Sequence, residues 1–205
     1  ELAKADPDDS SLLDMIAESA EAGLSTITSV RTMLAVESGK RSLDITDVSV
    51  SLACEEAVQA ARRNFARKRI HFHCDVPDDL TVRVDRSTFI TSVLGNLLSN
   101  AAKFSQSDSE VHITARPTAD AVVCEVRDRG IGMSEDLVRD VFDPSVSTSR
   151  EGTAGEEGTG FGMPLVRSLV SRYGGSIEVE SHPQGEDTGT LVRLVLIPGS
   201  DPVQE

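Results

Sequence analysis

The run NLLSNAAKFS, residues 96–105, constrains the fold more than any other stretch of this chain. At about 100° per residue, Asn96, Asn100 and Lys103 fall within roughly 60° of one another, with Ser92 and Ser99 beside them. Ile90, Val93, Leu94, Leu97, Leu98 and Ala101 point the other way. One face of this helix therefore has to enter a core, and the other has to face something polar. A solvated surface satisfies that pattern, and a lysine in a last turn also complements the helix dipole. Two aligned asparagines are nevertheless poor choices for an exposed helix, where Glu, Lys or Gln propagate better. The second reading is a set of short, neutral oxygen ligands facing a metal-bound polyphosphate.

With 205 residues, 39% of them hydrophobic, the chain can bury one substantial core and a small appendage. No apolar run reaches the roughly 18 residues of a membrane span, and there is no cleavable secretory pattern. A soluble, cytoplasmic chain without membrane contact is expected. Cys54, Cys74 and Cys124 are odd in number and far apart in apolar surroundings, which reads as reduced packing residues rather than a disulfide framework or metal knuckle. The net charge of −14, with a basic cluster only at ARRNFARKR (residues 61–69), excludes nucleic acid as a natural partner. A polyanion would need a bound cation, a lone lysine or backbone amides to hold it.

Residues 11–37 carry apolar or small side chains at Leu13, Ile16, Ala20, Gly23, Ile27, Val30 and Leu34, alternating steps of three and four. That is a heptad seam about 40 Å long, capped ahead by Asp6 to Ser10 and ended by Gly39. A lone helix cannot bury such a seam, so it predicts a partner helix. A linker over 38–46 leads to an amphipathic helix over 50–65. Strands are predicted over 70–76, 81–84, 110–116, 121–127, 176–181 and 190–197, the third and fourth as a hairpin. Asp85 is placed to cap the asparagine-bearing helix. A short helix covers 135–142, and Pro164 opens another that ends at Gly174 and Gly175. Between them, to Gly160, the chain is almost without apolar residues and is expected to move rather than pack. The order predicts an α+β two-layer sandwich, a mixed sheet covered on one face by three helices.

Two glycine-rich motifs follow. DRGIGM (128–133) ends a strand, where Gly130 and Gly132 allow positive φ and close approach of a flat ligand. Asp128 can there accept from an exocyclic amine such as that of adenine, where guanine offers a repelled carbonyl. Alone, this pattern also describes a turn. GTGFGM (158–163) runs into a helix start, where successive amides suit phosphate oxygens, although a flexible linker has the same composition. It lacks both the Walker ending and the dinucleotide spacing.

In this order and spacing, NLLSNAAKFS, DRGIGM, the segment VFDP (141–144) and GTGFGMPLV resemble the asparagine, first glycine, phenylalanine and second glycine boxes of sensor histidine kinases. Their ATP-binding domain belongs to the gyrase, chaperone, histidine kinase and mismatch-repair ATPase superfamily, with the Bergerat-type fold. The resemblance covers about residues 48–198. It implies a division into residues 1–46, the second helix of a dimerisation and phosphotransfer hairpin with its linker, residues 47–200, the ATP-binding domain, and a tail over 201–205.

The resemblance further implies ATP and Mg²⁺ as ligands. Asn100, with Asn96, would coordinate the Mg²⁺ that bridges the phosphates; Lys103 would contact a phosphate and Phe104 would pack near the base or sugar. Asp128 would bind the adenine amino group, with Gly130 and Gly132 shaping the base pocket and Thr190 behind it, helping to hold Asp128 or its water. Phe142 would anchor one edge of the lid, and Gly158, Thr159, Gly160, Phe161 and Gly162 would meet the phosphates. Arg150 is the lid's one basic residue, so lid closure over phosphate is expected to rest on it. Phe161 and Met163 stand where leucines are usual in the family, and Ser145 where an aromatic often follows.

Asn96 chooses among the relatives, because the hydrolases of the superfamily place a glutamate here to activate water and a carboxamide cannot accept that proton. Phosphoryl transfer to a side chain is favoured over hydrolysis. None of the four histidines is followed by an acid on a helix face, so the acceptor histidine is expected outside this chain, which then binds Mg-ATP without labelling itself. The implied partners are a second copy through the N-terminal helix and the receiver domain of a response regulator, with the chain as the cytoplasmic part of a longer sensor kinase. A degenerate nucleotide-binding scaffold, or a hydrolase of the same superfamily, is the alternative.

Overall fold

The computed structural model describes residues 42–146, 148–156, 158–183, 185 and 188–200, with residues 20, 23, 24, 27, 28, 30–35 and 38 ahead of them. Of the expected seam, Leu13 and Ile16 lie outside the described residues, as do the cap at 6–10, Gly39 and the tail at 201–205. Residues 30–35 are helical; Met33 is buried against the domain, whereas Ile27 and Leu34 are 64% and 55% exposed. Those two seam positions are open to a partner.

The first strand, β1 (Ile45–Ser49), pairs antiparallel with β3 (Thr81–Asp85), so Ile45 and Thr46, expected in the linker, belong to a ladder. Ser49 ends β1 and caps the helix α1 (Val50–Asn64), its Oγ accepting from Leu52 N at 3.3 Å. A 3₁₀ turn (Ala66–Lys68) leads to β2 (His71–Asp75). Asp85 performs its expected capping role, Oδ1 accepting from Thr88 N at 2.9 Å, and its Oδ2 ties down the segment ahead of β1 by accepting from Asp44 N at 3.0 Å. The helical run that follows opens as Arg86–Thr88, widens to a π-helix over Phe89–Leu94 and continues as α2 (Gly95–Phe104). Its apolar stripe goes to the core as its periodicity demands. Leu97 and Leu98 are 2% and 1% exposed, and burying a leucine contributes about 1.5–3 kcal/mol.

The main sheet holds β2, β4 (Glu110–Pro117), β5 (Val122–Asp128), β7 (Gly189–Leu196) and β6 (Ser176–His182) in that spatial order. β2 and β4 run parallel, and the remaining pairs are antiparallel, which makes the sheet mixed. Its inner face, with Val111, Ile113, Cys124, Val126 and Leu194, packs against α1, the π–α2 run and α4 (Gly162–Arg172). The outer face is polar, and Arg193 there bonds to Glu125, Glu178 and Glu180. A short helix, α3 (Glu135–Asp140), is capped by Ser134. This is the expected α+β two-layer arrangement. The cysteines correct one expectation: Cys54 and Cys124 are buried, but Cys74 is exposed.

Candidate functional site

The polar stripe of α2 faces a cavity of about 480 Å³ bounded by the end of β5, β7, the start of α4 and residues 148–150, 156 and 158–160. That volume suits a ligand of nucleotide size. Asn96, Asn100, Lys103, Phe104, Asp128, Arg150, Gly158, Thr159, Gly160, Gly162 and Thr190 all line it. Three separate sequence motifs thus meet in one place.

At one end Asn96 turns its amide nitrogen back to Ser92 O at 2.5 Å, which leaves Oδ1 against the start of α4. A β-carbon at Gly162 would lie 2.6 Å from that oxygen, so the glycine is what lets α4 begin beside α2. Asn100 lies one turn further along, half-buried. Among the described residues no cluster of three His, Cys, Asp or Glu could hold a metal. A cation here would rest on carboxamide oxygens and on phosphate oxygens of its ligand, which suits Mg²⁺, an ion commonly held by few protein groups plus substrate phosphates.

At the other end Asp128 closes β5, 9% exposed. Its Oδ1 accepts from Gly130 N at 2.8 Å and Thr190 N at 3.1 Å. Burial pushes the carboxyl up to about 6, against the two amides and the charges of Arg150 and Arg127, which pull it down. The group is therefore mostly ionised at neutral pH and able to accept a further hydrogen bond. Thr190 holds Asp128 through its backbone, while its hydroxyl meets Ser181 Oγ at 2.9 Å. Ser181 also donates to Gly189 O and accepts from Met133 N, tying the DRGIGM loop to the last strands. Nothing in the sequence marks Ser181 for this role.

The glycines of that loop divide their work differently from expectation. Gly132 has φ +62° and a β-carbon there would strike His182 O. Gly130 has no positive φ; it is required because the chain runs against Phe104 O, which accepts from Ile131 N at 3.0 Å.

Four predicted residues do not line the cavity: Gly130 and Gly132, which are packed against Phe104 O and His182 O, and Phe142 and Phe161. Phe142 borders a separate groove with Met33, Pro144 and Pro164, with the Arg167 guanidinium 5.6 Å from its ring centre. Phe161 does not line the cavity, although its amide reaches Thr159 Oγ1 at 3.4 Å. Arg150 does lie in the cavity, but at the Asp128 end. Its guanidinium stacks 4.3 Å above the Phe104 ring and donates to Gly132 O at 2.7 Å. That is the expected base site rather than the phosphate site.

The stretch expected to pack on nothing is also corrected. Thr153 N donates to Lys103 O at 3.0 Å, and Gly152 N to Glu156 O at 2.8 Å. Ser149 Oγ bonds Gly158 O, and Gly160 takes φ +74°. These contacts are polar, so a search for apolar periodicity passes over them.

Over residues 85–199 the sequence matches the family described as histidine kinase-, DNA gyrase B-, and HSP90-like ATPase. It is 34% identical over 131 residues to the adaptive-response sensory kinase SasA of Thermosynechococcus vestitus, covering 63% of this chain and 34% of that protein. It is 30% identical over 156 residues to the sensor histidine kinase YxdK of Bacillus subtilis, covering 76% of this chain and 46% of the relative. The chain thus spans less than half the length of these relatives. Among solved structures, Acinetobacter baumannii histidine kinase AdeS superposes with a TM-score of 0.73 at 18% identity, covering 95% of this chain and 86% of that one. Full-length ShkA in complex with AMPPNP superposes with a TM-score of 0.75 at 20% identity, covering 98% and 41%. At those identities the likeness shows the fold.

Proposed function

This chain belongs to the histidine kinase-, DNA gyrase B-, and HSP90-like ATPase family, and from that premise we propose that it is the ATP-binding catalytic part of a sensor histidine kinase. It binds Mg-ATP and serves transfer of the γ-phosphoryl group to a histidine on another segment. The observation that carries the reading is Asp128: a nearly buried carboxylate, held through one oxygen by two backbone amides, at the end of a cavity whose far end carries Asn96, Asn100 and a helix start.

Bound Mg-ATP supplies the phosphoryl group and a cation to offset its charge. Asp128 accepts from the exocyclic amine of adenine and repels the carbonyl of guanine. Met133, Leu137 and Val192 give the base apolar walls. Asn100 and Asn96 Oδ1 hold the cation, while the amides at the start of α4 and the ammonium of Lys103 face phosphate oxygens. Asn96 takes no proton from water, which supports transfer over hydrolysis. His71 and His73 lie in β2, His112 in β4 and His182 ends β6, so no histidine of this chain stands on a helix. Hence the acceptor belongs to a different segment, and the open Ile27 and Leu34 positions support assembly with a second helix, in a homodimer that passes phosphate on to a response regulator.

Titration with Mg-ATP and Mg-GTP tests the reading. Mg-ATP is expected to bind more tightly by about a hundredfold, the discrimination a buried hydrogen-bonding group supplies. Equal binding of both, or of neither, sinks it. Supplied with an acceptor hairpin and labelled ATP, the chain is expected to label the hairpin; steady phosphate release without labelling would instead mark a hydrolase.

A further inference from the structure

Lys68 lies in the basic run ARRNFARKR, where lysines ordinarily sit in water, yet it is 5% exposed. Lysines are almost never so buried unless paired. Its ammonium donates to Ala102 O at 2.8 Å, Lys103 O at 2.7 Å and Thr153 Oγ1 at 2.7 Å, and forms an ion pair with Glu156 Oε1 at 2.9 Å. The first two acceptors are carbonyls in the last turn of α2, where the helix dipole favours a cation. The other two belong to the loop that covers the cavity. One buried charge therefore joins two structures far apart in sequence.

The loop is shaped to meet it. Thr153 accepts from Lys68 through a hydroxyl that itself donates to Ser105 O at 2.5 Å. Glu156 accepts from Ala154 N at 2.9 Å with the oxygen that Lys68 does not use. Gly152 passes so close to the Lys103 side chain that a β-carbon there would lie 2.5 Å from Lys103 Cγ. Residues 152–156 thus form a compact turn seated on the end of α2, directly over Lys103. Lys68 does not line the cavity, whereas Lys103 and Glu156 do.

We infer that Lys68 is a positioning residue for the triphosphate: it latches residues 152–156 to the end of α2 and so sets the backbone of Lys103 and the path of the loop toward Gly158 and Gly160. The latch stands on the contacts above; its bearing on phosphate rests on the Mg-ATP reading.

The test uses the 205-residue chain with Lys68→Met, which keeps the apolar stem and removes the charge, and with the double variant Thr153→Val/Glu156→Gln, which cuts the latch from the loop side should the first fail to fold. Amide hydrogen exchange at Gly152, Thr153 and Ala154 is expected to quicken at least about tenfold, with β4 and β5 unchanged. Affinity for Mg-ATP should fall about tenfold while that for adenosine, which has no phosphate, stays within about twofold. Unchanged exchange at 152–154 overturns the latch. Equal losses for adenosine and Mg-ATP, with faster exchange throughout the sheet, would reduce Lys68 to a folding residue and overturn the positioning role. Faster loop exchange in a chain whose wild type binds no Mg-ATP overturns the phosphate role and the nucleotide reading together, and leaves the latch as a contact only.

Discussion

The wall of the cavity formed by β5, β7 and α2 rests on buried apolar side chains, whereas the opposite wall, residues 148–156 and 158–160, is held by hydrogen bonds and one buried ammonium. On the first side Leu97, Leu98, Val126 and Leu194 leave no room for rearrangement, and the polar groups they carry are fixed as a consequence. On the second side the neutral contacts are worth about 0.5–1.5 kcal/mol each and those of the Lys68 ammonium about 1.5–3 kcal/mol, so the wall hangs on a few polar bonds rather than on packing. The proposed nucleotide site would gain from this division, rigid at the end assigned to the base and weakly held where a ligand has to enter. Substitutions matched across the two walls can break or sharpen the contrast.

The largest expected effect is on the rigid side. Gly132 combines a positive φ with direct contact against His182 O, so Gly132→Ala is expected to destabilise the chain by about 3 kcal/mol or more. Thermal unfolding measures it. A loss below 1 kcal/mol would mean that this wall yields as easily as the loop.

Asp128 comes next, because it sets function against stability. Asp128→Asn is expected to weaken Mg-ATP about a hundredfold, since a carboxamide fixed by the same two amides turns a donor toward the base amine. Stability moves the other way. An aspartate raised on folding from 3.8 to about 6 holds its proton more tightly in the native state. The folded chain therefore loses stability as pH climbs through that window and carries the whole cost above it. At pH about 7.5 the substitution should stabilise by on the order of 3 kcal/mol, and below the ordinary aspartate range it should change little. Mg-ATP affinity of the wild type should correspondingly decline as pH falls below about 6. Calorimetry at both pH values checks the sign; a destabilised Asn variant at neutral pH would contradict the burial cost.

The loop counterpart of Gly132 is Gly155, with φ +85° but only Glu151 Oε1 within 3.5 Å of an added β-carbon. Gly155→Ala is expected to cost about 1 kcal/mol of local backbone strain, relieved by opening the loop rather than by unfolding the sheet. Hydrogen exchange confined to 152–156 is the expected signature. If the melting temperature falls as far as for Gly132→Ala, the loop is part of the cooperative core and the contrast between the walls is lost.

The two walls also differ in how far they could be read from sequence. The rigid wall follows from periodicity: the stripe through Ile90, Val93, Leu97 and Ala101, the alternation of β4 and β5, and Asp85 as a cap all reappear in the structure. Its lapses are local. ITDVS alternates over too short a span to separate a strand from a linker, and the π-helix at Phe89–Leu94 keeps the same apolar face as an α-helix would. The loop wall has no period to find. Lys68 sits among other basic residues with nothing to mark it for burial, and Thr153 and Glu156 look like any polar pair until α2 brings its carbonyls to them. Composition puts Arg150, the loop's lone cation, where the phosphates are expected; only the tertiary fold turns it toward Phe104 and Gly132 O.

Arg150 carries the smallest expected effect and the finest distinction. Its guanidinium covers the ring of Phe104 and takes up space beside Asp128, within reach of the position the base would occupy. A ligand with only a base and a sugar has to displace it, giving up a cation–π contact of about 0.5–1 kcal/mol and a hydrogen bond, and gains no phosphate contact in return. Arg150→Ala should therefore tighten adenosine by about threefold. For Mg-ATP a displaced arginine has phosphate oxygens to meet, which offsets the same cost, so the change there should be smaller. Equilibrium titration with both ligands separates the two roles. Tighter adenosine with little change in Mg-ATP identifies Arg150 as an occupant of the base site that yields to nucleotide. A tenfold loss for Mg-ATP with adenosine unchanged would return it to the phosphates, and would mean that the loop wall repositions its one cation when the ligand arrives.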